Sequence, residues 1–320
     1  MSRYLGIDYG GTQSKLLLTR EAPGGLERVR EARVPTPQGG DSVEALARLA
    51  LEFLGPDRIA GFAVTIAGIV DAATGRVVSS ANLPWLDGTD PAARIAARIG
   101  APGLAVQDGA AAAEAEATIG AGRGFDDIFV VALGTGVAGA HVVDGRVRAG
   151  AHGAAGEIGH IGPGTGARCS CGQRGCLETL IGGARIGDAW DEVLGLPAGS
   201  TNAAGGARVV VDAADGGEAR AIALLDRATT ALGRSLLGVV AMIDPEAIVV
   251  GGGLSQSTRW ILDPAVRTVR REATFHRLPE IVPSQLGVWA GAWGAAIAAR
   301  RAAADPAPTP TGTEAAAWPR

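Results

Sequence analysis

The chain writes one local plan twice. YLGIDYGGTQSKLLLTR, starting at Tyr4, reads as an apolar strand, a tight turn at Gly10, Gly11 and Thr12, and a second strand. DIFVVALGTGVAGAHVVDGRV, starting at Asp127, repeats it with a turn at Gly134, Thr135 and Gly136. Either turn alone is an ordinary hairpin. Together they read as related halves of a phosphate clamp, because glycine lets backbone N–H groups approach an anion and the threonine hydroxyls add donors. Lys15, the only lysine in the chain, stands three residues past the first turn and is a candidate phosphate contact. A third cluster, Gly251, Gly252 and Gly253, follows the apolar run EAIVV, which a strongly helical segment, ARAIALLDRATTALGRSLLGVVAMI, precedes. There a flat base could lie against the backbone of Gly252 and Gly253, although glycine turns after parallel strands are common.

Two nucleotide motifs are excluded. GTGVAG matches G-x-G-x-x-G, but that motif must open a helix, and here AGAHVV continues as a strand. No G-x-x-x-x-G-K-[ST] occurs, so this is not a P-loop enzyme. The length of 320 residues suggests two domains, and 47% hydrophobic residues suffice for their cores. No apolar run is long enough for a membrane span. The start, MSRYLGIDYGG, enters a strand without the apolar region of a signal peptide. A net charge of −4 gives no footprint for nucleic acid. The expectation is a cytoplasmic protein with no nucleic-acid or membrane partner.

All three cysteines fall within GEIGHIGPGTGARCSCGQRGCLE, between Gly156 and Glu178. The spacing His-x8-Cys-x-Cys-x4-Cys, through His160, Cys169, Cys171 and Cys176, supplies one imidazole and three thiolates, a tetrahedral Zn²⁺ set. Reduced surface thiols, or one disulfide with a spare cysteine, are the alternatives; a Cys-x-Cys bridge is strained and a reducing compartment disfavours it. Four protein ligands fill the shell, so the metal would be structural. With zinc on one ring nitrogen of His160, the other is free to hydrogen-bond in a pocket flanked by Glu157 and Glu178.

These segments together resemble the ROK family (repressor, open reading frame, kinase) of the actin-like, sugar-kinase superfamily. The resemblance runs through GIDYGGT, AVTIAGIVDAATG, NLPW, QDGAAAAEAE, GTGVAG, the GEIGH and C-x-C-G-x-x-G-C-L-E signature, and IVVGGGLS. It implies an α/β, two-domain actin-like ATPase fold with ATP and sugar in an interdomain cleft. It implies zinc on His160, Cys169, Cys171 and Cys176, shaping the wall of the sugar pocket. It makes Asp108 the general base that takes the proton of the attacking hydroxyl, with a helix N-cap as that residue's bland alternative. It gives Asp8 a part in positioning the Mg²⁺ of ATP, where a turn-forming Asp is the alternative. Glu157, His160 and Glu178 would meet the sugar around carbons one and two, and Asn82 would touch the ring from the other domain.

The departures from the family bear on the substrate. The usual Asn-Asp is Gln107-Asp108 here, and glutamine, reaching one methylene further, would reshape a site for hydroxyls three and four. Ala110 replaces a further asparagine, Ala138 a glycine, and Ala67 the proline of a Pro-Gly pair. The expected reaction is ATP-dependent phosphorylation of the 6-hydroxyl of a hexose, most simply glucose. A kinase for an N-acetylhexosamine, aminohexose or C7-cyclitol is the first alternative, and a non-catalytic sugar sensor the second. The start of the chain in the phosphate strand leaves no room for the helix-turn-helix of the family's repressors. The expected division is 1–119 with 290–303, then 120–289 carrying the zinc, then a disordered tail at 304–320. A homodimer is expected, as the family commonly forms.

Overall fold

The computed structural model describes residues 1–71, 74–80, 83–152, 154–162 and 166–305. Asn82 and the tail from 306 onward lie outside the described residues. The described chain falls into two compact units, Met1–Ala112 with the segment from Trp289, and Ala113–Val288.

In the first unit, β1 (Arg3–Tyr9), β2 (Gln13–Ala22) and β3 (Gly25–Pro35) form an antiparallel meander. Helix α1 (Ser42–Leu54) leads to β4 (Gly61–Ile66), and β5 (Ile69–Val70) pairs with β6 (Val77–Ser79) in a small separate ribbon. Helix α2 (Pro91–Ile99) has Asp90 accepting from the Ala93 N–H at its start and Gly100 in the left-handed conformation at its end. It delivers β7 (Gly103–Gln107), and the sheet order is β3-β2-β1-β4-β7. The strands β1, β4 and β7 are parallel, and every residue of β4 is buried. Central parallel strands covered on both faces have to be apolar throughout, which GFAVTI is. One face of the sheet packs Leu5, Ile7, Phe62 and Val64 with Leu46 of α1 and Ile95 of α2. The other carries Tyr4 and Ala63.

Helix α3 (Asp108–Ile119) follows β7 directly. The division between units falls inside it after Ala112, ahead of the boundary at 119 drawn from sequence. The reason is packing: Ala113 and Ala117 join Ile128, Val130 and Val249 of the second unit's core. The buried Glu116 carboxylate accepts from the N–H groups of Ala121, Gln285 and Leu286, also in that unit.

The second unit repeats the first. Strands β8 (Asp127–Leu133), β9 (Val137–Val143) and β10 (Arg146–Val147) form the meander. Helices α4 (Glu178–Ile181), α5 (Gly183–Leu194), α6 (Ser200–Ala203), α7 (Ala207–Asp215) and α8 (Ala219–Ile243) come next. Strand β11 (Ala247–Gly251), helix α9 (Leu262–Glu272) and strand β12 (Glu280–Pro283) complete the unit. The order β10-β9-β8-β11-β12, with β8, β11 and β12 parallel, is the order of the first sheet over again. Helix α8 ends where Asp244 takes a left-handed conformation, just before Pro245.

The chain closes with α10 (Ala290–Ala304) on the first unit, its Ala295 and Ala299 packed with Tyr4 and Ala63. That contact is backbone on backbone, since a Cβ on Gly6 would stand 2.0 Å from the Ala292 carbonyl oxygen. Among the described residues no helix is long and apolar enough to cross a membrane. Gly6→Ala should push α10 off the sheet and destabilise the protein by about 1–3 kcal/mol, the usual cost of overpacking. A urea unfolding curve with a lower midpoint and unchanged slope checks this; an unchanged midpoint would mean the helix gives way freely.

Candidate active site

In the first unit the acidic groups gather where the strands end. Asp8, next to last in β1, is held between two partners: Lys15 Nζ donates to Oδ2 at 2.7 Å and Thr65 Oγ1 to Oδ1 at 2.8 Å. The side chains of Asp8 and Lys15 are mostly shielded from solvent. Lys15 therefore reaches the first glycine turn as half of an ion pair, and Thr65, from β4, is a member of the site that sequence reasoning missed. Glycine is needed at position 10, where a Cβ would lie 2.7 Å from the Gln13 carbonyl oxygen. Thr36 backs this turn, its hydroxyl donating to the Gly10 carbonyl and its N–H to that of Thr12. Gly11 and Thr12 are exposed.

Asp108 is half-buried at the first position of α3. The N-cap bond, the bland alternative for Asp108, comes from its neighbour: Gln107 Oε1 accepts from the Ala110 N–H at 2.5 Å, while Asp108 Oδ1 accepts from the Gly109 N–H. Gln107 thus has one end of its amide committed to the helix. Burial raises the Asp108 carboxyl; the Gly109 N–H opposes that, the Asp8 charge adds to it, and the result is about 6. A carboxyl near 6 can accept a proton at neutral pH and hold it long enough to matter.

In the second unit the glycine turn is braced from behind. Gly134 donates to the Gly136 carbonyl, and the N–H groups of Gly183 and Ala184, opening α5, donate to the carbonyls of Gly134 and Thr135. A Cβ on Gly183 would stand 2.8 Å from the Gly134 oxygen. Glu178 Oε2 accepts from the Val137 N–H at 3.0 Å, and its Oε1 faces the Ser170 hydroxyl at 3.4 Å. Glu178 is therefore shared between the turn and the cysteine loop. The GEIGH segment lies on β9 because Gly159 has no Cβ, which would meet the Val137 oxygen at 2.1 Å. Glu157 is exposed, 4.0 Å from His160 Nε2.

The other ring nitrogen of His160, Nδ1, lies 3.7 Å from Cys169 Sγ, and Cys171 and Cys176 are 3.6 Å apart at sulfur. All four donor atoms fall within 4.8 Å of one another, and all three cysteines are free thiols. A tetrahedral ion bonded to sulfur at about 2.3 Å needs sulfurs roughly 3.8 Å apart, so the set fits zinc. Burial works against ionisation of Cys169, yet hydrogen bonds from Cys171, Cys176 and Ser170 outweigh it and bring the thiol to about 7. Cys176 is pushed up to about 12 by burial and by its two cysteine neighbours. Thiols this close resist becoming thiolates together unless a cation sits among them.

Beside the Gly134 turn opens a pocket of about 940 Å³. Gly134, Thr135, Gly183 and Ala184 form its floor, Asn202 and Gly205 to Arg208 one wall, and Gly253, Leu254, Gln256 and Ser257 the other. Gly252, at φ 91°, makes the turn beneath, where a Cβ would stand 2.3 Å from the Leu133 oxygen. Of this lining, sequence reasoning had named Gly134, Thr135 and Gly253. It missed Asn202, Arg208, Gln256 and Ser257, for which the glycine pair in TNAAGGAR was the one available sign.

Two sheets of the same strand order, each with a glycine turn between its first two strands, and a poised carboxylate after the fifth strand of one, define a sugar kinase of the actin-like ATPase fold. The ROK family model matches residues 4–302, and the chain belongs to the ROK family. A glucokinase of Thermotoga maritima is 29% identical over 310 residues, covering 92% of this chain and 96% of that one. The N-acetylgalactosamine kinase AgaK of a Shewanella species is 29% identical over 307 residues, with 92% and 96% covered. The crystal structure of a ROK family glucokinase from Streptomyces griseus in complex with glucose and AMPPNP superposes with a TM-score of 0.77 at 28% identity, covering 94% of this chain and 100% of that one.

The Asp108 carboxyl should titrate near pH 6 by carbon-13 NMR, and Asp8→Asn, removing the neighbouring charge, should lower that midpoint. A midpoint indifferent to Asp8 would leave burial as the whole cause.

Proposed function

We propose that this kinase phosphorylates the 6-hydroxyl of a hexose, most simply glucose, with ATP as donor. The observation that carries the reading is Asp108: a half-buried carboxylate after a parallel strand, with its pKa raised to about 6. In the reaction its carboxylate takes the proton of the attacking hydroxyl. The N–H groups of the turn at Gly10–Thr12, and those of Thr135 and Gly136 in the second turn, bind phosphate oxygens. Asp8 would hold Mg²⁺, which when bound neutralises charge on the transferring phosphoryl group. Lys15 keeps the Asp8 carboxylate in place and adds a positive charge near the phosphates.

The sugar is read by Glu157, Glu178 and the Nε2 edge of His160, with Gln107 on the side of hydroxyls three and four and Asn82 against the ring. Zinc on His160 Nδ1 and the three cysteine sulfurs fixes that edge. The second reading is an N-acetylhexosamine kinase. It is favoured by Gln107, whose carbonyl oxygen is already committed to Ala110, and by the similarity to an N-acetylgalactosamine kinase.

ADP release from Mg-ATP, measured over glucose, mannose, N-acetylhexosamines, aminohexoses and cyclitols, separates the readings. Glucose should lead, and Asp108→Asn should lower kcat/KM by about 10²–10⁴, the usual worth of a general base. Turnover of an N-acetylhexosamine alone would select the second reading. Sugar binding without turnover of any sugar would make the protein a sensor. Because the base must be ionised, kcat/KM should be level above pH 6 and fall about tenfold per unit below it, with the loss of one ionised group. Removal of zinc should lower the melting temperature and weaken sugar binding together. Metal analysis finding no zinc in protein purified without chelator would refute the structural metal.

A further inference from the structure

Asp191 is a buried acid for which the reaction has no use. It sits on α5, 2% exposed, and its Oδ1 accepts from both the backbone N–H of Thr201, at 2.9 Å, and the hydroxyl of that residue, at 2.5 Å. The Thr201 bonds outweigh the effect of burial and hold the carboxyl below its usual range. One turn earlier on the helix, Asn202 Nδ2 donates to Asp188 Oδ1 at 2.8 Å and to the Ala184 carbonyl at 3.0 Å. Gly187 lies between, and a Cβ there would stand 2.1 Å from Asn202 Oδ1.

Positions 184, 187, 188 and 191 are the i, i+3, i+4 and i+7 places of one helical face. All four are turned to the short helix α6. The opposite side of α5 is already secured, with Ile186 and Trp190 in the unit's hydrophobic core. Two acids on that face are therefore more than holding α5 in place requires. What they fix is α6 and the chain that leaves it. The Gly206 N–H donates to the Thr201 carbonyl at 2.8 Å, so the turn at Gly205 and Gly206 hangs from the residue that Asp191 grips. Asn202, Gly205 and Gly206 all line the pocket of about 940 Å³ beside the phosphate turn.

We infer that Asp188 and Asp191 are positioning residues for the nucleotide: through Asn202 and Thr201 they set the wall against which the nucleoside part of ATP is held. This rests on the proposed function, with the pocket taken as the ATP site because Gly134, Thr135 and Gly253 line it. Neither acid touches the nucleotide, and neither takes part in recognising the sugar.

The test is calorimetric titration of the full-length, zinc-replete protein with Mg-AMPPNP, and separately with glucose. Thr201→Val deletes only the hydroxyl that Asp191 accepts from, and Asn202→Ala deletes the amide held by Asp188. Each should weaken AMPPNP by about tenfold, the worth of one buried hydrogen bond, with glucose affinity unchanged. Asp191→Ala, which removes the acceptor of both Thr201 bonds, should do the same, and Thr201→Ser, which keeps the hydroxyl, should retain wild-type affinity. In turnover the loss should appear in KM for ATP and leave KM for sugar alone. AMPPNP binding at wild-type strength in both Thr201→Val and Asn202→Ala overturns the inference. Nucleotide and sugar affinity falling together with the melting temperature also overturns it, since the two acids would then be supporting the unit as a whole. If the wild-type protein itself binds no AMPPNP, the assignment of the pocket to ATP fails first and this inference with it.

Discussion

Glu178 is the joint between the two kinds of chemistry in the second unit. Its Oε2 accepts from the N–H of Val137, the first residue after the phosphate turn, while Oε1 faces Ser170 and the thiol of Cys169. The contact exists because position 136 is glycine; a Cβ there would lie 2.4 Å from Oε2. A shift of the cysteine loop therefore moves the carboxylate and, with it, the turn. The proposed zinc acts at this joint: it would keep the loop still so that a carboxylate and an imidazole edge face a sugar in fixed register.

The same sheet topology occurs in both units, and what differs between them is what the strands lead into. The order β3-β2-β1-β4-β7 is matched by β10-β9-β8-β11-β12, with a glycine turn between the first two strands of each. The units diverge in the segments attached to this shared frame. In the first unit β7 runs straight into α3 and leaves Asp108 at the junction, close enough to Asp8 for the two charges to oppose each other. In the second the long stretch after β10 becomes the cysteine loop and then α4 to α8, of which α5, α6 and α7 contribute to the lining of a pocket. A common sheet topology thus carries a carboxyl of raised pKa in one unit and a pocket in the other.

Much of this was legible in the sequence wherever a local signal sufficed. The glycine turns were readable because glycine is obligatory at Gly10, after β1, and at Gly252, after β11, where neighbouring carbonyls leave no space for a side chain. Helix α8 was readable from its apolar periodicity, and the cysteine set from spacing alone. The capping of α3 was not legible: Gln107, rather than Asp108, accepts from the Ala110 N–H, and the choice depends on side-chain rotamers that no pattern records. The boundary inside α3 was missed because the helix is alanine on nearly every face, so nothing marks which residues join which core. The raised pKa of Asp108 was out of reach, since it depends on burial and on the charge of Asp8, far away in the chain. Asn202 and Asp191 were missed for the same reason. Their partners are distant in sequence and are chosen by the geometry of α5, and no motif stands in for that.

The proposed reaction is attack of a hexose hydroxyl on ATP under the control of Asp108. Phosphorus–proton correlation NMR of the product formed from Mg-ATP and the best sugar substrate reads its outcome without an intermediary. Phosphate is expected on the oxygen of carbon six, with no free phosphate ahead of it. Phosphate on the anomeric oxygen, or ATP consumed with no sugar phosphate formed, would contradict the proposed reaction.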